Sequence, residues 1–207
     1  MLDGVRGVVF DCDGVLVDSE PASMQAWVLA LTGLGVGVDA AAIGAWIGST
    51  DRSIAQHYAS VLATETEEIL DIAERHLRRV LAEDGVRVFP DAIRLLETAF
   101  ERRLPVGVAT NSVRWRLDAV LEAAGIGHLI PLSVAADEVD APKPAPDVYA
   151  EAVRRLALEP GETLVVEDTP TGIAAGKAAG CRVVAVDRGV FPLDRLAAAD
   201  LVVAHLG

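Results

Sequence analysis

The chain has 207 residues, of which 52% are hydrophobic and 24% charged, with a formal net charge of −13. That length fits one domain with at most a modest insertion, and that composition supports a sizeable core. The acidic balance excludes nucleic acid as the default partner, and no apolar run approaches the roughly eighteen residues that a membrane span needs.

The first apolar run, Val5 to Phe10, predicts a buried strand. It ends in "DCDG", which sets Asp11 and Asp13 one residue apart and follows them with Gly14, residue types that strands disfavour. Only "MLDGVRG" includes or precedes its start, which leaves no room for a signal peptide. Cys12 and Cys181 suggest a reducing compartment rather than a disulfide framework, so a cytoplasmic protein is expected. Cys12 reads as a small strand-end hydrophobe, because no adjacent histidine or cation would activate its thiol.

Residues 19–85 carry helical patterns only. Ile69, Ile72, Ala73, Leu77, Val80 and Leu81 share one face, and the charges at Glu67, Glu68, Asp71, Glu74, Arg75, Arg78 and Arg79 fall elsewhere. Beyond them, "PVGVAT" (105–110), "PLSVAA" (131–136), "TLVVED" (163–168), "RVVAVD" (182–187) and the short "DLVV" (200–203) read as further buried strands. Helical spacing returns in Ala92 to Phe100, in Leu117 to Ala124 with Gly125 as a C-terminal cap, in Tyr149 to Leu156, and in Thr171 to Ala179 before Gly180. Alternation of strand and helix predicts an α/β fold, a Rossmann-like doubly wound parallel sheet built from residues 1–18 and 86–207. Residues 19–85 then form an α-helical cap inserted after the first strand, on the ligand side of the sheet, where a lid excludes water and selects substrate.

The predicted strand ends gather polar groups. They are Asp11 and Asp13, then Thr110, Asn111 and Ser112, then Lys143 in "DAPKPAPD", then Glu167, Asp168 and Thr169. Taken singly each has a plain explanation, as a helix cap, a turn residue or an exposed lysine. Together they imply chemistry. At an effective dielectric near 20, two unit charges about 5 Å apart repel by roughly 3 kcal/mol, so clustered carboxylates call for a cation. Oxygen donors without histidine or cysteine suit Mg²⁺, and Lys143 adds positive charge for a phosphate. Hydroxyl and N–H donors around Thr110 and Asn111 would hold the remaining phosphate oxygens. The first aspartate can attack phosphorus, and the second can move a proton between leaving group and water.

These motifs resemble the haloacid dehalogenase-like superfamily over essentially the whole chain. The similarity is to its phosphatases with a small helical cap, the phosphoglycolate phosphatase and beta-phosphoglucomutase subgroup. The family's D-x-D-G-x-(L/V) appears as "DCDGVLVD", its strand-ending Thr or Ser as Thr110 in "VATNS", its lysine as Lys143 in "PKPAPDVY", and its acidic pair in "VVEDTPTGIAAGKAAG". The resemblance implies that Asp11 is nucleophile and metal ligand, and that Asp13 is acid/base with its carbonyl on the metal. It implies that Thr110 contacts the transferring phosphoryl group, that Lys143 neutralises it, and that Gly14 lets the chain unwind into a flap. Asp168 would bind Mg²⁺ directly, and Glu167 directly or through water. Asn111, Ser112, Gly48 and Arg52 are candidate substrate contacts.

The expected activity is Mg²⁺-dependent hydrolysis of a small phosphate monoester, a sugar phosphate or phosphoglycolate-like metabolite, by a monomer or weak dimer. A sugar-phosphate mutase is the alternative. The mutases of this subgroup carry a histidine and a cap lysine where Ser23 and Ile47 stand here, which favours hydrolysis. A true dehalogenase has no need of Asp13. A receiver-type module would lack the cap, and a non-catalytic sensor has no need of the full set. "GIAAGK" (172–177) is not a phosphate-binding P-loop, since it is one residue short between glycines and Ala178 replaces the Ser or Thr. His57 and Arg114 are weaker substrate-contact candidates, and Trp27, Trp46 and Trp115 read as packing residues.

Overall fold

The computed structural model describes residues 1–46 and 50–207. They form two compact units, Met1–Asp18 with Arg87–Gly207, and Ser19–Val86.

The first unit is an α/β layer structure. Its strands are β1 (Gly7–Phe10), the short β2 (Val17–Asp18) and β3 (Arg87–Val88), β4 (Val106–Ala109), β5 (Ser133–Val134), β6 (Thr163–Glu167), β7 (Arg182–Val186) and β8 (Leu201–Val203). Six of them form one parallel sheet in the order β5-β4-β1-β6-β7-β8, with Phe10 in register with Val108 on one side and Val166 on the other. Helices cover both faces. The predicted α/β doubly wound sheet is therefore the observed one. β1, β4 and β6 are buried along their whole length, which explains why they read as continuous apolar runs rather than alternating ones. The expected strands are trimmed at their ends: the first begins at Gly7 rather than Val5, and "PLSVAA" keeps only Ser133 and Val134.

The strand order reverses beside β1. The chain leaves β1 for β4 and β5 on one side and then crosses over to β6 on the other. A crevice at the carboxyl ends of such strands is the ligand site of open α/β sheets. β2 and β3 escaped the sequence reading. They pair antiparallel, Val17 with Val88 and Asp18 with Arg87, and two residues each are too few to show a period.

The unit's helices are α5 (Pro90–Glu101), α6 (Arg114–Ala123), α7 (Asp147–Arg155), α8 (Pro170–Ala178) and the single turn α9 (Leu193–Leu196). Pro90 and Pro170 open α5 and α8, where a missing N–H costs nothing. Thr169 caps α8 by accepting from Gly172 N at 3.0 Å. Val9, Val134, Val153, Val165, Ile173 and Val183 belong to the packed core.

The second unit contains α1 (Glu20–Gly33), α2 (Ala40–Gly44), α3 (Asp51–Leu62) and α4 (Thr66–Asp84). Ile69, Ala73, Leu77, Val80 and Leu81 are the buried face of α4, as their spacing implied, while Ile72 is partly exposed. Trp27 is buried, and its Nε1 donates to Asp51 Oδ1 at 2.9 Å. Among the described residues no helix is long and apolar enough to cross a membrane.

Candidate active site

Asp11 is the first residue past β1, and its N–H still belongs to the ladder, donating to Val166 O at 2.9 Å. The sheet thus fixes the nucleophile candidate at its base, and its side chain is buried. The chain then turns sharply. Leu16 N and Val17 N both donate to Cys12 O, and Gly14 N donates to Val17 O at 2.8 Å. Gly14 adopts φ +83°, and a Cβ there would overlap the Asp168 carboxylate. Only glycine meets both demands. Asp13, on this turn, accepts from Ser112 Oγ at 3.0 Å.

Lys143 lies in the loop before α7, with its side chain 3% exposed. Its Nζ donates to Asp11 Oδ1 at 2.6 Å, to Glu167 Oε1 at 2.7 Å and to Tyr149 OH at 2.9 Å. An ammonium has three protons, and all three are used. Tyr149 OH passes a hydrogen bond on to Glu167 Oε1 at 2.7 Å. Glu167 Oε2 accepts from Asp168 N, Thr169 N and Thr169 Oγ1 at 2.9, 2.9 and 3.0 Å. Gly172 makes room for this carboxylate, because a Cβ there would collide with Glu167 Oε1. The glycine of "GIAAGK" therefore serves a close approach of helix to carboxylate.

Thr110 is buried, and its Oγ1 accepts from Ser112 N at 3.0 Å, which leaves its own hydrogen to donate. The Asn111 side chain is spent on the Lys143 backbone, Oδ1 accepting from Lys143 N at 2.7 Å and Nδ2 donating to Lys143 O at 3.2 Å. That amide aligns the lysine loop. Gly48 and Ile47 lie outside the described residues. Arg52 belongs to the helical unit, where it pairs with Glu67 at 2.7 Å on an exposed face. His57 is exposed there, its ring 5.0 Å from that of Trp46. Arg114 is engaged by Glu138, Asp118 and Ser133, a structural cluster.

Carboxylate oxygens of Asp11, Glu167 and Asp168 lie within 4.8 Å of one another, all buried. Burial raises the Asp11 carboxyl to about 7, Lys143 opposing and Glu167 and Asp13 adding to it. Burial, with the charges of Glu167 and Asp11, pushes Asp168 well above the usual carboxylate range. Burial pushes Glu167 up too, but the Lys143 charge and hydrogen bonds outweigh it and hold that carboxyl low. Lys143 is driven the other way: burial would lower it, and the two anions raise it instead. Burial also lifts the Cys12 thiol, so it stays neutral and inert, as a strand-end hydrophobe should. One ammonium therefore faces three carboxylates. Asp168 Oδ1 is buried and has no hydrogen-bond partner among the described residues. An all-oxygen cluster with excess negative charge and an orphaned oxygen fits a hard divalent cation.

Tyr149 was legible only as a core residue on an apolar helix face. The signal for its second role is a phenol six positions after Lys143, since a buried tyrosine needs a partner for its hydroxyl. The partly buried pair Asp91 and Arg188 gave no signal in a sequence read for strand ends.

Fold and site together define a Rossmann-like α/β protein with a buried, acidic, lysine-bearing centre. The pattern of the haloacid dehalogenase-like hydrolases matches residues 5–180, and the chain belongs to that family. It is 31% identical over 200 residues to validoxylamine A 7'-phosphate phosphatase of Streptomyces hygroscopicus subsp. limoneus, covering 96% of this chain and 92% of that one. It is 30% identical over 213 residues to phosphoglycolate phosphatase of Yersinia pseudotuberculosis serotype I, covering 97% and 90%. The solved structure of CbbY from Rhodobacter sphaeroides in complex with phosphate superposes with a TM-score of 0.81 at 22% identity, over 98% and 95% of the two chains, a likeness of fold. The enzyme class these findings support is phosphoric monoester hydrolase.

Proposed function

We propose that the protein hydrolyses a small phosphate monoester, with Mg²⁺ as cofactor and Asp11 as nucleophile. The observation that carries this reading is the buried Asp11 carboxylate, held by Lys143 Nζ at 2.6 Å beside Glu167 and Asp168. The names of the two phosphatase relatives support a phosphorylated metabolite as substrate. In this reading Asp11, Asp168 and the Asp13 carbonyl hold the cation. Glu167 stands behind them as counter-ion to Lys143, because its two oxygens already accept five hydrogen bonds. Bound Mg²⁺ would supply positive charge against the phosphoryl oxygens and the clustered carboxylates.

Asp11 attacks phosphorus, and the bond to the ester oxygen breaks as Asp13 gives that oxygen a proton. The alcohol leaves, and an aspartyl phosphate remains on Asp11. Water then attacks phosphorus, Asp13 takes its proton, and inorganic phosphate and the Asp11 carboxylate are restored. Thr110, held by the Ser112 N–H, donates its hydroxyl to a phosphoryl oxygen, and the backbone N–H of Asn111 lies in the same loop. Lys143 neutralises charge on the phosphoryl group. The helical unit, with Gly48 and Arg52, selects the ester, and the protein acts in the cytoplasm. Ser23, where a mutase would hold a histidine, favours water as the acceptor.

A panel of phosphorylated metabolites, with and without Mg²⁺, tests the proposal beside Asp11→Asn. Metal-dependent phosphate release by the wild type and none by the variant is expected. Equal turnover by Asp11→Asn would overturn the nucleophile assignment, and an inactive wild type across the panel would favour a sensor.

A further inference from the structure

The turn that carries Asp13 lies outside the main sheet: Asp13 bridges to Val17 within the turn, and Val17 pairs with Val88 in the two-residue ladder. Its internal hydrogen bonds are short-range, and the carbonyls of Gly14 and Val15 point away from them to one side chain, Arg188. Arg188 stands two residues past β7. Its Nε donates to Gly14 O at 3.1 Å, and its Nη2 donates to Val15 O at 3.3 Å. The other edge of the fork meets Asp91, Nη1 to Oδ2 at 3.0 Å and Nη2 to Oδ1 at 3.1 Å. Asp91, in the first turn of α5, is itself fixed, accepting from Ala92 N at 3.0 Å and Leu206 N at 3.1 Å. The Phe89 ring closes one side, 3.9 Å from the guanidinium carbon. Phe89 N also donates to Leu16 O, so the same anchor reaches the far end of the turn.

Both side chains are nearly buried, 12% exposed for Arg188 and 8% for Asp91. A buried ion pair is a poor device for stability alone, since apolar side chains of the same volume often serve as well. A planar fork supplies something else, because it holds two carbonyls and a carboxylate in one fixed geometry. The carbonyls it holds belong to the two residues after Asp13. The next atoms inward are those of Asp168, against which Gly14 is packed with no room for a Cβ.

We propose that Arg188, anchored by Asp91, is a positioning residue for Asp13: it fixes the Gly14–Val15 backbone and so sets where the acid/base stands against the leaving oxygen. This rests on the reading of Asp13 given above. Arg188 touches no reacting atom. Its loss leaves Asp11, Lys143 and Glu167 on their own partners and reaches the site through the turn that carries Asp13.

Two esters separate this role from a merely structural one. p-Nitrophenolate leaves without a proton, whereas an alkoxide needs one. Arg188→Lys keeps the charge and loses the fork, and Asp91→Asn keeps an acceptor and loses the anchor's charge. Both are compared with wild type on p-nitrophenyl phosphate and on the alkyl phosphate turned over fastest in the panel. General acid–base assistance is worth about a hundredfold or more, so kcat for the alkyl ester should fall at least about tenfold with KM little changed. On p-nitrophenyl phosphate the variants should release a burst of about one nitrophenolate per enzyme and then turn over slowly, because only the water step still needs Asp13.

Equal losses on both esters without a burst, or no loss at all, overturn the inference. So does failure of both variants to give the wild-type melting transition, since Arg188 is then a folding residue. Asp13→Asn runs beside them. If it shows the expected pattern and Arg188→Lys does not, the inference alone fails. If Asp13→Asn itself behaves as wild type on both esters, the acid/base reading fails first.

Discussion

Lys143 Nζ donates to Asp11 Oδ1 at 2.6 Å across 132 positions of sequence, and the same nitrogen reaches Glu167 Oε1 at 2.7 Å. One ammonium therefore holds two carboxylates that would otherwise repel in a buried site. Lys143→Met removes the cation and leaves both anions. Breaking one side of a buried ion pair costs about 3–5 kcal/mol, so the variant should unfold at markedly lower denaturant in the absence of divalent cations. Phosphatase activity should be lost with it. A chemical denaturation curve unchanged from wild type would contradict the charge assignment.

The cation site makes a second prediction. Mg²⁺ that binds the folded chain stabilises it by mass action, about 2.7 kcal/mol at a hundred times its dissociation constant. Thermal melts with and without Mg²⁺ should show that rise. Asp168→Asn replaces the raised, orphaned carboxyl with a neutral group. The variant should melt no lower than wild type in EDTA and should lose the Mg²⁺-dependent shift. A full shift in Asp168→Asn would remove that residue from the cation site.

Without metal, the site should register pH. Asp11 is raised by burial from 3.8 to about 7, so the folded chain binds a proton more tightly than the unfolded chain. Its contribution is complete below the unfolded value and is lost as pH climbs through the folded one. Asp168 acts in the same direction. Glu167, held low, acts oppositely and only as pH falls through and below its ordinary 4.5. In EDTA, wild-type stability should therefore decline between about pH 4.5 and 7 relative to Asp11→Asn. Parallel curves for the two proteins would contradict the raised carboxyl.

Two glycine substitutions should move in opposite directions. Gly172→Ala drives a methyl into the Glu167 carboxylate, and overpacking of this kind costs about 1–3 kcal/mol or more. It should also displace the counter-ion of Lys143 and depress kcat. Gly33, the last residue of α1, has nothing within 4 Å of an added Cβ. Gly33→Ala should stabilise by about 0.5–1 kcal/mol and leave kcat unchanged. Paired melts and steady-state assays check both.

The strands of the main sheet were legible because a parallel sheet covered on both faces buries every residue of its central strands, as "GVVF" and "TLVVE" show. Helices α4 to α8 announced themselves by period, by prolines at their starts and by glycines past their ends. β2 and β3 did not, because a two-residue ladder has no period. Of the site, Asp11, Asp13, Thr110, Glu167 and Asp168 were visible as polar residues at or just past the ends of apolar runs, and Lys143 as a lysine between two prolines in the loop after the third. Tyr149 was hidden, since its ring packs in the core like any other aromatic and only its hydroxyl joins the acidic cluster. Asn111 stood among the expected residues, yet its amide turns to the Lys143 backbone, a pairing that sequence spacing does not encode.

The sequence by itself determined the alternation of buried strand and helix, the helical block between the first two core strands, and the polar residue that ends each strand. Those features are local: hydrophobic period and turn chemistry act over a few neighbouring residues. Only the tertiary structure decided which charge faces which. The sheet order sets β1 beside β6, so Asp11 meets Glu167 and Asp168, and the Lys143 loop closes on them. It also brings Arg188 and Asp91, 97 positions apart, onto the turn after Asp13. Charge pairing in a buried site depends on distance and solvent exclusion, and both exist only once the strands have taken their order.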